Sequence, residues 1–246
     1  MKSRPVPITR FFPNFITFCS LCLGLTSIRL SLIGRWELAI GTIVVAAIMD
    51  GIDGRIARMF DSSSAFGAEL DSLADMVSFG VAPAFMLYLW ELHNIRVFGW
   101  GITMVFVVCM AVRLARFNTT AMSSGTSSEL QNSFFYGIPA PAGGILALLP
   151  VILIFASNDC GFVVLFAMNH YFLLGYLAVI SMLTVSSIPT FSLKNIVVPH
   201  YLESALMFIS VTIAVALILK PWLTISVLAL CYICSMPISC FTYSKR

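Results

Sequence analysis

Apolar residues run along this chain in stretches close to twenty residues long, recurring from Phe15 to Ile238 and separated by short polar or turn-forming clusters. About 20 such residues are what an α-helix needs to cross a hydrocarbon layer roughly 30 Å thick. The pattern predicts helices near 15–33, 36–60, 68–91, 97–117, 134–156, 161–183, 201–219 and 222–240. Their connections carry turn residues, among them Gly34-Arg35, Ser157-Asn158-Asp159 and Lys220-Pro221, so neighbours in sequence are expected to be antiparallel neighbours in space. The fold class expected is therefore all-α, a polytopic membrane bundle of about eight transmembrane helices forming one domain over 1–246.

Composition narrows the class further. Of 246 residues, 59% are hydrophobic and only 10% charged, and the mean hydropathy is +0.97. Soluble domains carry roughly 25% charged residues, so a soluble fold is excluded along with disorder and a nucleic-acid binder. A net charge of +3, spread along the loops, implies no polyanionic partner. Its placement does report topology. With the N-terminus in the cytoplasm, Lys2, Arg4, Arg10, Arg55, Arg58, Arg113, Arg116, Lys194, Lys245 and Arg246 lie inside, while Arg29, Arg35, Arg96 and Lys220 lie outside. That asymmetry is the one expected of cytoplasmic loops, so both termini are expected there.

The hydrophobic rhythm breaks once, between Met49 and Met76, at Asp50, Asp53, Arg55, Arg58, Asp61, Glu69, Asp71 and Asp75. A carboxylate at membrane depth costs several kcal/mol unless it is paired, hydrated or bound to a metal, so this is the candidate site. Asp50 and Asp53 share one helix face at i, i+3; Asp71 and Asp75 share another at i, i+4. If the two helices form an antiparallel hairpin centred in Asp61-Ser62-Ser63-Ser64, Asp50 comes level with Asp75 and Asp53 with Asp71. Four carboxylates with no His or Cys nearby call for a hard cation, Mg²⁺, Mn²⁺ or Ca²⁺, in place of zinc. Gly54 and Gly67 leave gaps in the side-chain wall beside the acids, and Arg58, on the stripe of Asp50 and Gly54, suits a phosphate oxygen.

The run Asp50-x2-Asp53-Gly54-x2-Ala57-Arg58-x8-Gly67-x3-Asp71-x3-Asp75 resembles the signature of the CDP-alcohol phosphatidyltransferases at every specified position. The resemblance implies displacement of CMP from a CDP-linked lipid by an alcohol. It also implies divalent ions held by Asp50, Asp53, Asp71 and Asp75, with Asp75 as general base and Gly54 and Arg58 on the CDP-binding surface. Ser78-Phe79-Gly80-Val81-Ala82-Pro83-Ala84, Arg113-Leu114-Ala115-Arg116-Phe117-Asn118 and Gly137-Ile138-Pro139-Ala140-Pro141 are similar to the serine-accepting branch of that family. Eight spans, beyond a six-helix core, fit the same branch; the likeness covers about 10–185, with two additional C-terminal helices at about 201–240.

The likeness implies a membrane enzyme taking CDP-diacylglycerol and L-serine, with Mg²⁺ or Mn²⁺ as cofactor and Ca²⁺ as a bound substitute. Membrane lipids are its surroundings, a homodimer its expected assembly, and a bacterial cytoplasmic membrane its location, with the site facing the cytoplasm. Serine carries a free carboxylate, so Arg113 and Arg116 are candidates for binding it, against an ordinary role as headgroup anchors. Asn118 is a candidate for the amino group or for a helix cap. Asn14 and Thr17 are candidates for the nucleotide or for a plain helix start. Glycerol 3-phosphate or an inositol phosphate is the alternative acceptor, and divalent-cation transport the alternative function. The cysteine pairs Cys19/Cys22 and Cys231/Cys234 are read as packing, the scattered His93, His170 and His200 as interface residues, and Trp36, Trp90, Trp100 and Trp222 as an interfacial belt. Gly24, Gly143 and Gly144 are expected where helices pack closely.

Overall fold

A computed structural model describes residues 11–59, 65–123, 134–136, 138–157, 168–186, 189–191 and 200–244. The chain is a polytopic bundle of helices: α1 (Phe11–Leu32), α2 (Trp36–Met59), α3 (Ala65–Asp75), α4 (Ala82–Trp90), α5 (Arg96–Ser123), α6 (Ala140–Ala156), α7 (His170–Val185), α8 (His200–Leu219) and α9 (Pro221–Ser244). A π-helical turn, Met76–Val81, joins α3 to α4, so the third predicted span is one continuous helical rod. Asn14–Leu32, Phe66–Trp90 and Leu92–Thr119 are long and apolar enough to cross a membrane, and shorter apolar helices accompany them.

Two expectations are corrected. Helix was predicted from 134, but α6 begins at Ala140, and Phe134–Tyr136 instead form a strand paired antiparallel with Pro189–Phe191. Pro139 and Pro141 account for the late start: proline restricts the residue before it to extended backbone, and Pro141 is tolerated because it falls in the first helical turn. The sixth span was placed from 161; α7 starts at His170, where the Asn169 side chain accepts from the amides of Tyr171 and Phe172 as an N-cap. The segments 60–64, 124–133 and 158–167, including Asp61-Ser62-Ser63-Ser64, lie outside the described residues.

Sequence neighbours are not always spatial ones either. The main partner of α5 is α7, while α6 sits centrally against the π-helical turn, α4, α7 and α9. The reason is in α6 itself. From Leu146 to Ile152 every residue is buried, so no side of it is fit to face another solvent.

Pro150 inside α6 has no N–H to offer the Leu146 carbonyl one turn earlier. Tyr176 of α7 supplies the missing donor, its hydroxyl reaching that carbonyl at 2.6 Å. At the end of the bundle where α2 starts and α4 stops, Trp36 meets Trp90 edge-on at 5.1 Å, Phe155 lies 6.2 Å from Trp90, and Trp222 lies 5.9 Å from Phe155. Trp100 of α5 meets Tyr88 of α4 at 5.2 Å, which brings all four tryptophans to that end.

Close approach at the centre depends on two glycines. A Cβ on Gly24 would stand 2.5 Å from the Ser78 hydroxyl oxygen, and one on Gly144 would stand 3.0 Å from the Phe79 carbonyl oxygen. The π-helical turn is thus gripped by α1 on one side and α6 on the other. On α1 the residues facing inward are small and polar at spacings of three and four: Thr17, Ser20, Gly24, Ser27 and Ser31, all buried. Ser20 donates to the Ala46 carbonyl at 3.4 Å and Ser27 to the Ala39 carbonyl at 2.9 Å, tying α1 to α2 in antiparallel register. In lipid, such small and hydroxylated faces replace the hydrophobic drive that packs helices in water.

Replacing Tyr176 by Phe should lower the stability of detergent-extracted protein by roughly 0.6–2 kcal/mol, the range for a lost interhelical hydrogen bond. On a Pro150→Ala background, where the Leu146 carbonyl regains a backbone donor, thermal unfolding should register a smaller loss for the same change.

Candidate active site

Three carboxylates converge. One oxygen each from Asp50, Asp53 and Asp71 lies within 4.8 Å of the other two. Asp75 is within hydrogen-bond reach of Asp50 and close to Asp71. The level matching expected of a hairpin is thus present for Asp50 with Asp75. The packing behind it is different from a simple hairpin, because α2 and α3 touch each other little and both lean on α1. The acids therefore face one another across a cleft backed by α1.

Thr17 of α1 stands behind that cleft. Its hydroxyl donates to Asp53 Oδ2 at 3.0 Å, and both residues are buried. The bond occupies one lone pair of Asp53 and leaves its other oxygen to turn toward Asp50 and Asp71. Gly54, next along α2, is exposed, with nothing within 4 Å of where a side chain would begin, so the wall beside the acids is open. Asn14 is half-buried one turn before Thr17. Arg58 lies on α2; its side chain, like that of Ala57, falls outside the described residues.

The structure separates Arg113 from Arg116. Arg113 is half-buried, its Nη1 4.0 Å from the Met110 sulfur, and near enough to Asp75, Asp50 and the Tyr232 hydroxyl of α9 to interact with them through space. Arg116 is exposed and donates to the Val185 carbonyl at 3.0 Å, one of the last-turn carbonyls of α7 that lack an intrahelical donor. Asn118 accepts a hydrogen bond from Ser72 at 3.0 Å, and Ser72 lies between Asp71 and Asp75 on α3. Thus α5 brings one cation to the acids and braces their helix with an amide.

Two unit charges 4.8 Å apart repel by about 3 kcal/mol at an effective dielectric near 20, so three ionised carboxylates packed this way favour a cation among them. The donor set fits a hard divalent ion. Carboxylate oxygens are the ligands that Mg²⁺, Mn²⁺ and Ca²⁺ prefer. The described residues around the cluster add no His or Cys ligand to favour zinc.

Over residues 10–236 the sequence matches the CDP-alcohol phosphatidyltransferase family. The chain belongs to that family. Its similarity extends along most of its length to individual members. It is 38% identical over 238 residues to the CDP-diacylglycerol--serine O-phosphatidyltransferase of Mycobacterium leprae, covering 96% of this chain and 76% of that protein. It is 38% identical to the protein of the same name from Helicobacter pylori strain J99, over 75% of this chain and 73% of the relative. The protein so named from Methanocaldococcus jannaschii is 35% identical over 133 residues, 54% of this chain and 56% of its own. The four aspartates of the Asp50-to-Asp75 run are the acids brought together at the cleft.

Sequence reasoning missed the structural parts of the site: Ser20, Ser72 and Ser78, and the bond from Thr17 to Asp53. A signal was present for α1, whose Thr17-x2-Ser20-x3-Gly24-x2-Ser27-x3-Ser31 spacing marks a close-packing face. Ser78 was visible only as the first residue of the Ser78–Ala84 run, with no sign of its bond to α1, and Ser72 carries no mark at all.

Thr17→Val, which keeps the shape but removes the donor, should weaken Mn²⁺ binding to the purified protein severalfold in an electron paramagnetic resonance titration without substrates. Thr17→Ser should retain wild-type affinity.

Proposed function

We propose that this chain transfers the phosphatidyl group from CDP-diacylglycerol to the hydroxyl of L-serine, forming phosphatidylserine and releasing CMP. The observation carrying the reading is the convergence of Asp50, Asp53, Asp71 and Asp75 at an open cleft that also receives Arg113. The names of its relatives supply the acceptor.

The four aspartates are the metal ligands, for Mg²⁺ or Mn²⁺, with Ca²⁺ as a bound substitute. When bound, such ions offset the negative charge of the diphosphate and of the oxygen that leaves with CMP. Gly54 gives the nucleotide-linked diphosphate room to approach α2, Arg58 pairs with a phosphate oxygen, and Asn14 and Thr17 line the nucleotide side. Asp75 takes the proton of the serine hydroxyl. The serine oxygen forms the new bond to the phosphorus bearing diacylglycerol, and that phosphorus loses its bond to the CMP oxygen.

Arg113 binds the serine carboxylate; its electrostatic interaction with Asp75 and Asp50 supports that role. Arg116, engaged with the Val185 carbonyl, and Asn118, engaged with Ser72, shape the wall around it. The chain works as one integral-membrane domain over 1–246, with its core at about 10–185 and α8 and α9 as the two additional helices. It resides as a homodimer in a bacterial cytoplasmic membrane, with termini and site on the cytoplasmic side.

Purified protein given CDP-diacylglycerol, Mn²⁺ or Mg²⁺ and a panel of labelled alcohols should release CMP with serine. Turnover with glycerol 3-phosphate and none with serine would reject the assignment. Asp75→Asn, nearly isosteric, should abolish transfer while the protein extracts as a folded species; wild-type rates would remove Asp75 as the base. Arg113→Ala should raise the KM for serine at least fivefold and that for the lipid less than twofold, whereas equal effects on both would make the residue an anchor.

A further inference from the structure

The two acidic helices do not set their own spacing. α2 and α3 make little contact, and α1 packs against both, so the distance between Asp50/Asp53 and Asp71/Asp75 depends on how each helix is held to α1. Its link to α2 is direct: Thr17 to Asp53 at 3.0 Å and Ser20 to the Ala46 carbonyl at 3.4 Å. It packs directly on α3 as well, and its hydrogen bond to that rod is made just past Asp75, in the π-helical turn, where Ser78 donates to the Ser20 carbonyl at 3.1 Å.

Ser20 therefore joins both sides, donating through its hydroxyl to α2 and accepting through its carbonyl from the π-helical turn. We propose that Ser78 is a positioning residue whose bond to the Ser20 carbonyl fixes the Asp71/Asp75 helix in register with the Asp50/Asp53 helix. The inference rests, for its rate measurements, on the phosphatidyl-transfer reading above.

Three features support a positioning role over general packing. Ser78 is fully buried, so its hydroxyl has no water to turn to and stays on the one acceptor α1 presents. The space around it is closed, with Gly24 so near that a methyl group there would collide with the Ser78 oxygen at 2.5 Å and with its Cα at 2.8 Å. Gly144 of α6 closes on Phe79 from the other side, where an added Cβ would meet the Phe79 carbonyl oxygen at 3.0 Å and its Cα at 3.1 Å.

A π-helical turn, with its i→i+5 bonding, is an uncommon and locally costly backbone, and it persists where neighbours hold it. Ser78 is only three residues from Asp75, less than one turn along the same rod, so a displacement at one is passed to the other. The carboxylate that must meet an ion and an alcohol within a few tenths of an ångström is anchored by this neighbour.

The test uses full-length protein in detergent or proteoliposomes. Ser78→Ala is expected to lower kcat for serine transfer about tenfold, to leave the KM values for serine and CDP-diacylglycerol within twofold, and to weaken Mn²⁺ binding severalfold by electron paramagnetic resonance without substrates. Its unfolding temperature should stay close to wild type. Gly24→Ala, which pushes on Ser78 from the α1 side, should give the same pattern more strongly; if it does not extract as folded protein, Ser78→Ala alone decides.

Wild-type kcat and Mn²⁺ affinity in Ser78→Ala would overturn the proposal. So would a parallel rise in both KM values with a large loss of stability, which is the signature of plain packing. If the wild-type chain releases no CMP with serine, the functional reading fails, while the Mn²⁺ titration of Ser78→Ala still judges the positioning role.

Discussion

Mutual repulsion among carboxylates is what the rest of this structure is arranged around. Asp50, Asp53 and Asp71 bring oxygens to within 4.8 Å of one another in a protein that is otherwise apolar. Helices bearing such groups gain nothing by packing directly against each other, and α2 and α3 hardly do. The separation leaves a cleft between the acids, and it moves much of the task of holding the two helices to α1. The hydroxyls and carbonyls of α1, facing inward at spacings of three and four, do this with hydrogen bonds that a surrounding of lipid and buried side chains leaves without competition from water.

The same economy recurs away from the site. Side chains from other helices reach backbone carbonyls elsewhere too: Tyr176 the one that Pro150 orphans, Arg116 one at the end of α7, Ser78 one within α1. Each of these bonds also fixes the relative position of two helices. In a bundle with so few polar groups, satisfying the backbone and setting the geometry become the same act.

Much of this could be read from the residues alone, and the boundary between what could and could not is physical. Spans showed themselves because length and apolarity are local properties; α2, α8 and α9 start within a residue or two of where the pattern puts them. The acidic cluster showed itself because helical periodicity is rigid enough to carry Asp50 to Asp75 across a turn. Helix starts near proline were misplaced, since Phe134–Tyr136 form strand pairing with a segment more than fifty residues away and no local pattern announces it. Arg113 and Arg116 looked equivalent three residues apart, and only the packing of α5 against α7 divides them. The role of α6 as the central helix was likewise invisible, because uniform apolarity marks a membrane span and a buried core in the same way.

The depth of the acids has a consequence for lipid traffic. Asp50 stands fourteen residues beyond Trp36 on α2, about 21 Å along a helix that crosses a layer of roughly 30 Å, so the cleft opens nearer the face opposite the tryptophans. A diacyl tail can then lie in one half of the bilayer while its headgroup is exchanged. On the proposed reaction, donor and product would share a single monolayer, and no headgroup would have to be carried through the hydrocarbon.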